Sequence, residues 1–360
     1  MRILHLADRL TDRGGAYAHL LGVLDALGPR HENWLAVGID EGSASTRARV
    51  RIVTGLEART RRPMDLDALA AELRPGVIHV HNLMNPEALA WAGSRGRAVL
   101  TIQDHRFFCP TRGKWKTDGH VCRELLSPEA CAGCFEDDAH FRDVLALTRA
   151  RLEEARRLSV VVLSRYMRDE LLAAGLRADA VSVIPPFVHG LDREARPDGP
   201  PCVLFVGRLV ESKGVADAVL AWRRSGVDLP LVVAGSGPLR ESLRDSGAEV
   251  LGWVPRRRLG AVYARARAVV MPSRWREPLG IVGLEALHCG VPVVAWESGG
   301  IAEWHPGGDL LVPWGDLDAL AGALRVAVSR RATPPLGFES EELTKRLVEV
   351  YERLAGNQGR

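Results

Sequence analysis

Short apolar runs separated by helix-patterned segments constrain this 360-residue chain more than any other feature. Residues 3–6, 34–37, 77–80, 98–102, 160–163 and 181–184 are such runs, each with room for a helix before the next. Continuous apolar strands alternating with helices imply a parallel sheet covered on both faces. Pro185 and Pro186 halt the first series, and residues 192–201, rich in charge and proline, read as a linker. The alternation then resumes to about residue 330, a breaker follows at 331–337, and 339–356 has the pattern of a final amphipathic helix. The expected architecture is α/β, with two doubly wound, Rossmann-like parallel-sheet domains at 1–190 and 200–335. The length supports a sizeable core in each.

Composition removes several function classes. Hydrophobic residues make up 46% and charged residues 26%, as in ordinary globular proteins. A net charge of +3 gives no reason to expect a nucleic-acid partner. No stretch approaches ~20 unbroken apolar residues, and Met1 runs straight into a strand. Neither a membrane span nor a signal peptide is expected, which places the chain in the cytoplasm. Two basic stretches, 47–62 and 142–157, raise peripheral contact with the inner membrane face; acidic residues interleave in the second, as on a solvated helix.

The chemistry concentrates in the second half, where four strand ends carry glycine turns in order. The first ends in Gly207, followed by Arg208 and Lys213; the second ends in Gly235; the fourth leads to Gly299-Gly300. Arg offers a fork for phosphate oxygens and Lys a mobile point charge. Lysine occurs at only four positions, so Lys213 departs from the chain's preference for arginine. The third strand, 268–271, leads to Glu277 and Glu285. Pro278 suits a first helical position and Gly290 a stop, so Glu277 is expected just before a helix whose first amides favour a phosphate. Eight helical residues would set the two carboxylates about 12 Å apart, too far for one metal or an acid/base dyad. That spacing fits two ends of an extended ligand with a diphosphate between them. The plain alternative is a capping Glu and a solvated Glu.

The first half is less explicit. Gly14 and Gly15 open a helix after the first strand and allow a ligand close to the backbone, though a tight turn alone accounts for them. His79 and His81 share one side of a strand; His81 lies at its carboxyl end, and His79 reads as packed. Gln103, Asp104 and His105 follow another strand as candidate cleft residues without an assigned role, Gln103 being able to hydrogen-bond a sugar hydroxyl. Cys109, Cys122, Cys131 and Cys134 lie in the loop 105–135 and include a C-x2-C pair. They form a candidate structural zinc site, with free thiols as the alternative and a disulfide or iron–sulfur cluster last. Lys114, Trp115 and Lys116 on the same loop could meet a sugar or an anionic acceptor, or form a solvated tip with one packed Trp.

Taken together, these residues resemble the family 4 retaining glycosyltransferases of the GT-B fold, specifically over about 201–313 and more loosely before that. The resemblance implies two domains facing a cleft, with the last helix crossing back to the first. It implies that Arg208 and Lys213 hold the donor diphosphate, that Glu277 faces the sugar, and that Glu285 binds the ribose hydroxyls. Gly207 and Gly235, the Gly14-Gly15 turn, Val254 near the nucleobase, and Leu279, Gly280 and Ile281 near sugar and phosphate complete the donor set. His81, Gln103 and Asp104 fall on the acceptor side. The family often has His where this chain has Gln103, which cannot exchange a proton near neutral pH; His105 is the substitute candidate for the catalytic set. The partners implied are a nucleotide-diphosphate sugar, with uridine ahead of guanosine, and a hydroxyl acceptor in polysaccharide, glycolipid or natural-product glycoside synthesis. No cofactor is required for catalysis. A nucleotide-sugar epimerase or hydrolase, and a non-catalytic sugar-nucleotide sensor, are the competing readings.

Overall fold

The computed structural model describes residues 1–111, 113–116 and 119–356. The chain divides into two compact units. The first comprises Met1–Gly113, Arg123–His189 and Gly337–Arg360, and the second comprises Lys114–Cys122 and Gly190–Leu336. Part of the cysteine-bearing loop thus packs with the second unit.

In the first unit, seven strands form one parallel sheet: β1 (Arg2–Leu10), β2 (Glu32–Asp40), β3 (Arg49–Ile52), β4 (Val77–His81), β5 (Ala98–Ile102), β6 (Ser159–Val162) and β7 (Val181–Val183). Their order is β3-β2-β1-β4-β5-β6-β7, reversing direction at β1, as doubly wound sheets do. The intervening helices are α1 (Gly15–Leu27), α2 (Leu66–Leu73), α3 (Pro86–Gly93), the short α4 (Pro128–Ala132), α5 (Asp138–Ala155) and α6 (Arg165–Ala173). Strand β3 lies inside the basic stretch 47–62, so that run is in part a sheet edge whose arginines face outward.

Six strands build the second unit's sheet: β8 (Cys202–Val206), β9 (Leu231–Ala234), β10 (Glu249–Gly252), β11 (Ala266–Met271), β12 (Val293–Trp296) and β13 (Leu311–Val312). The order β10-β9-β8-β11-β12-β13 repeats the doubly wound plan. Its helices are α7 (Val215–Ser225), α8 (Arg256–Arg265), α9 (Ile281–His288) and α10 (Leu317–Ala327), after which α11 (Ser340–Gly356) returns to the first unit. Among the described residues, no helix is long and apolar enough to cross a membrane.

Strand alternation explains the packing of the first unit. Leu4, Leu6, Ile78, Val80, Leu100 and Ile102 face Leu69, Leu89 and Leu152, while Ile3, Val77, Val99 and Val161 face Val23, Leu27, Leu347 and Tyr351. The second face also receives His5, His79 and Thr101, because His5 pairs in register with His79 and His81 with Thr101. His79 Nδ1 lies 2.6 Å from the Tyr351 hydroxyl of α11, and its Nε2 lies 2.6 Å from Thr101 Oγ1. His5 Nε2 donates to Asn33 Oδ1 at 3.1 Å, which leaves His5 Nδ1 to accept from His81 Nε2 at 2.9 Å.

These histidines are neutral in the fold. Burial lowers His5 and His19 to about 4 and takes His79 and His81 well below their ordinary value. The unfolded chain therefore binds more protons just below pH 6.5, so stability rises with pH there. Their contribution is complete above about pH 6.5 and is lost as pH falls toward 4, at about 2 kcal/mol for each such histidine by pH 5. The urea midpoint is expected to drop clearly between pH 7 and pH 5, above the range where carboxylates protonate. An unchanged midpoint would contradict the buried neutral cluster.

Candidate functional site

Carboxyl ends of strands are where doubly wound sheets bind ligands, and the second unit gathers its charged residues there. Gly207 ends β8 and Gly235 ends β9; their backbones approach so closely that a Cβ on Gly235 would sit 1.8 Å from Gly207 O. Arg208 follows on the surface. Lys213 closes the 3-10 turn Glu211–Lys213 before α7. Gly214 comes next with φ +69, and a Cβ there would lie 1.8 Å from Pro272 O. Only glycine lets the Lys213 turn rest against the loop that follows β11.

That loop is tied down along its length. The amides of Arg274 and Trp275 both donate to Ser212 O, at 3.0 and 3.2 Å. The Arg274 guanidinium forks onto buried Asp217 of α7 with bonds of 2.6 and 2.8 Å. The consequence is a short buried ion pair: Lys213 Nζ donates to Glu277 Oε1 at 2.7 Å, and Ser273 Oγ donates to the same oxygen at 2.6 Å. Glu277 is only 2% exposed. Burial works to raise its carboxyl, but the Lys213 ammonium, with the Ser273 hydroxyl, holds it below the usual carboxylate range. The Trp275 ring lies 4.3 Å from Lys213 Nζ and 6.0 Å from the Arg208 guanidinium carbon.

The helix after this loop starts later than the sequence suggests. Pro278 is not its first residue: Gly280 adopts φ +90 and α9 begins at Ile281. A left-handed residue cannot continue a right-handed helix, so the chain turns at Gly280 first. Leu279 is buried, its carbonyl accepting from Trp304 Nε1 at 2.6 Å. Glu285, on α9, is not a solvated side chain: it is 3% exposed, with Arg256 Nη1 2.6 Å from Oε1 and Tyr263 Oη 3.0 Å from Oε2. Val254 lies between β10 and α8.

In the first unit, Gly14 (φ +108) and Gly15 form the start of α1. At the ends of β4 and β5, Asn82 Oδ1 accepts from the Gln103 amide at 3.0 Å, and its Nδ2 donates to Asp104 Oδ2 at 3.2 Å. Burial raises Asp104, but the Arg106 guanidinium outweighs it and keeps the carboxyl low. The Gln103 side chain is buried, and its Nε2 has no hydrogen-bond partner among the described residues.

Two expectations change. His105 is a packed residue: buried in a 3-10 turn, it meets the Phe108 ring edge-on and places Nε2 3.1 Å from Tyr166 Oη. His81 is likewise enclosed, its Nε2 given to His5. The four cysteines are not gathered: among the described residues, no three of them bring their sulfurs within 4.8 Å of one another. Cys109 instead joins the core beside Phe107 and Phe108. Among the described residues, the one potential metal-binding group by proximity is His5, His79 and His81. Its geometry is that of hydrogen bonds, since both ring nitrogens of His79 are engaged by hydroxyls. The 2.9 Å between His5 and His81 nitrogens is also shorter than the ~3.3 Å expected of two ligands on one tetrahedral zinc.

Arg256, Tyr263, Ser273, Arg274 and Asp217 were not singled out from the sequence. Their partners lie 22 to 57 residues away, or, for Ser273, four, and no local pattern marks such pairs.

Comparison with known proteins bears on the fold and on the family match of the second unit. Residues 200–330 match the family described as Glycosyl transferases group 1. The 2-deoxystreptamine N-acetyl-D-glucosaminyltransferase of Streptomyces fradiae is 30% identical over 283 residues, covering 71% of this chain and 63% of that protein. The GDP-mannose-dependent alpha-(1-6)-phosphatidylinositol monomannoside mannosyltransferase of Mycolicibacterium smegmatis is 33% identical over 196 residues, 46% of this chain and 51% of the relative. The chain thus spans between about half and 63% of these curated relatives. The crystal structure of Anabaena HepE in complex with UDP-glucose aligns with a TM-score of 0.66 at 19% identity, covering 99% of both chains. AviGT4, a glycosyltransferase involved in avilamycin A biosynthesis, aligns at 0.60 and 18%, covering 99% of this chain and 98% of its own. The fold is therefore that of the GT-B glycosyltransferases.

Replacing Lys213 by Met leaves Glu277 buried with the Ser273 hydroxyl but no counter-charge. Breaking a buried pair from one side costs about 3–5 kcal/mol. Urea unfolding of Lys213→Met should show a loss of that order, largely recovered by adding Glu277→Gln. A destabilisation below about 1 kcal/mol would mean that the pair is solvent-screened.

Proposed function

We propose that this chain, whose residues 200–330 belong to the glycosyl transferases group 1 family, moves a sugar from a nucleotide-diphosphate donor to a hydroxyl acceptor with retention at the anomeric carbon. The observation that carries the reading is the convergence of Arg208, Lys213, Glu277 and the start of α9 at the carboxyl ends of β8 and β11. Arg208 and Lys213 grip the diphosphate, and the amides opening α9 add donors to it. Glu277 meets the sugar and Glu285 the ribose. Gly207, Gly235, Val254, Leu279, Gly280 and Ile281 supply backbone and apolar contacts to the donor. The Gln103 side-chain Nε2, without a partner among the described residues, is suited to a substrate hydroxyl. HepE was solved with UDP-glucose, which supports uridine as the nucleoside.

Retention needs no protein nucleophile in this scheme. The departing diphosphate oxygen takes the acceptor proton on the face where the glycosidic bond breaks, and the new bond forms on that same face. The enzyme's share is orientation and stabilisation of charge building on the leaving group. Lys213 and Arg208 take the second task.

Arg208 is the cleaner residue to test, because it is exposed and outside the buried ion pair. UDP-glucose, UDP-N-acetylglucosamine and GDP-mannose are screened by thermal shift, and the donor that binds is assayed for sugar transfer to a panel of hydroxyl compounds. At least one donor is expected to raise the melting temperature. Arg208→Ala should reduce kcat/KM by about 100-fold with the unliganded melting temperature unchanged. Absence of binding to every donor would overturn the reading.

A further inference from the structure

Helix α8 presents two donors to a single carboxylate. Arg256 and Tyr263 are seven residues apart, two turns of helix, and so share a face. Arg256 Nη1 meets Glu285 Oε1 at 2.6 Å, and Tyr263 Oη meets Glu285 Oε2 at 3.0 Å. Tyr263 is fully buried and the Arg256 side chain is 18% exposed, so neither donor is a mobile surface group. One bond to each oxygen fixes both the position and the plane of the carboxylate. A carboxylate has about four lone-pair sites, so one remains on each oxygen. Two acceptors held side by side on one rigid carboxylate match the two donors of a vicinal diol.

We propose that Arg256 and Tyr263 are positioning residues that hold Glu285 in the orientation required to read the ribose 2′- and 3′-hydroxyls of the donor. This deepens the assignment of Glu285 above and rests on it. Charge is part of the device: Arg256 neutralises the carboxylate in place, so the acidic group does not repel the diphosphate of the ligand whose ribose it binds. Arg256 also anchors the start of α8, immediately after the segment through Val254, to the helix that carries Glu285. Selectivity for ribose over deoxyribose then depends on a residue outside the acidic pair itself.

The test is calorimetric, on the full chain, with UDP against 2′-deoxy-UDP and GDP against 2′-deoxy-GDP. The wild type is expected to prefer the ribonucleotide by about tenfold or more, the effect of one hydrogen bond to a charged group. Arg256→Met should bring the preference close to one, with Kd for the ribonucleotide rising. Arg256→Lys, which restores one charged donor, should recover part of it. Tyr263→Phe, nearly isosteric, should lower the preference less than Arg256→Met. Far-ultraviolet circular dichroism and melting temperature identify a misfolded variant, in which case Arg256→Lys and Tyr263→Phe carry the test. A wild-type preference retained in Arg256→Met and Tyr263→Phe overturns the positioning role while leaving the donor site standing. No preference in the wild type overturns the ribose assignment of Glu285 and this inference with it. No binding of either diphosphate overturns the proposed function as well.

Discussion

Burying a carboxylate at the end of a loop is unfavourable unless a counter-charge reaches it, and for Glu277 that charge arrives from a different β-α turn. The Lys213–Glu277 contact joins the turn after β8 to the loop after β11. The surrounding bonds serve that contact. Ser212 O receives two amides of the loop, Asp217 receives the Arg274 guanidinium, and Gly214 leaves space for the carbonyl of Pro272. An unpaired ion buried there would cost several kcal/mol, comparable with the whole stability of many domains. The sheet brings the two turns together because β8 and β11 are neighbours at the point where the strand order reverses.

Much of this was legible in the sequence because covered parallel strands are apolar throughout. Central strands such as β4, β5 and β8 read directly from runs of Val, Ile and Leu. Strand β3, Arg-Val-Arg-Ile at a sheet edge, carried too little apolar signal, as did the short β13 at the opposite edge of the second sheet. At the start of α9, the preference of proline for a first helical turn competed with Gly280, and the left-handed glycine prevailed. The four cysteines illustrate a related limit: spacing along the chain describes local reach, whereas a zinc site needs sulfurs converging from several directions. His105 shows the same limit, since nothing in Gln-Asp-His reveals that Tyr166, 61 residues on, will pack against it.

The charged residues of the site were legible as types and positions, but their pairing was not. Arg208, Lys213, Glu277 and Glu285 stood out because each follows a glycine turn or belongs to a fixed spacing. Arg256 looked like one of three consecutive arginines at the start of a helix. Its significance comes from a carboxylate 29 residues away on another helix, a relation that depends on how two β-α units pack. Long-range pairs of this kind are specified by the fold as a whole, so they become visible only once the sheet order is known.

Both carboxylates have the same kind of environment. Glu277 receives one cation and one hydroxyl, from Lys213 and Ser273, with the Trp275 side chain as a further donor; Glu285 receives one cation and one hydroxyl, from Arg256 and Tyr263. The repetition has an electrostatic reason if the ligand is a diphosphate. A bare carboxylate about 4 Å from a phosphate oxygen would oppose binding by on the order of 4 kcal/mol at an effective dielectric near 20. Two of them would cancel most of what Arg208 and the helix amides supply. With each carboxylate neutralised by its own cation, the hydrogen-bonding capacity is kept and the repulsion is removed. The hydroxyl partner adds direction without adding charge, so each carboxylate keeps acceptor sites for the sugar alcohols at the two ends of the ligand. Acidic recognition of hydroxyls and cationic recognition of phosphate can then operate within one small site, provided that every acid arrives already paired.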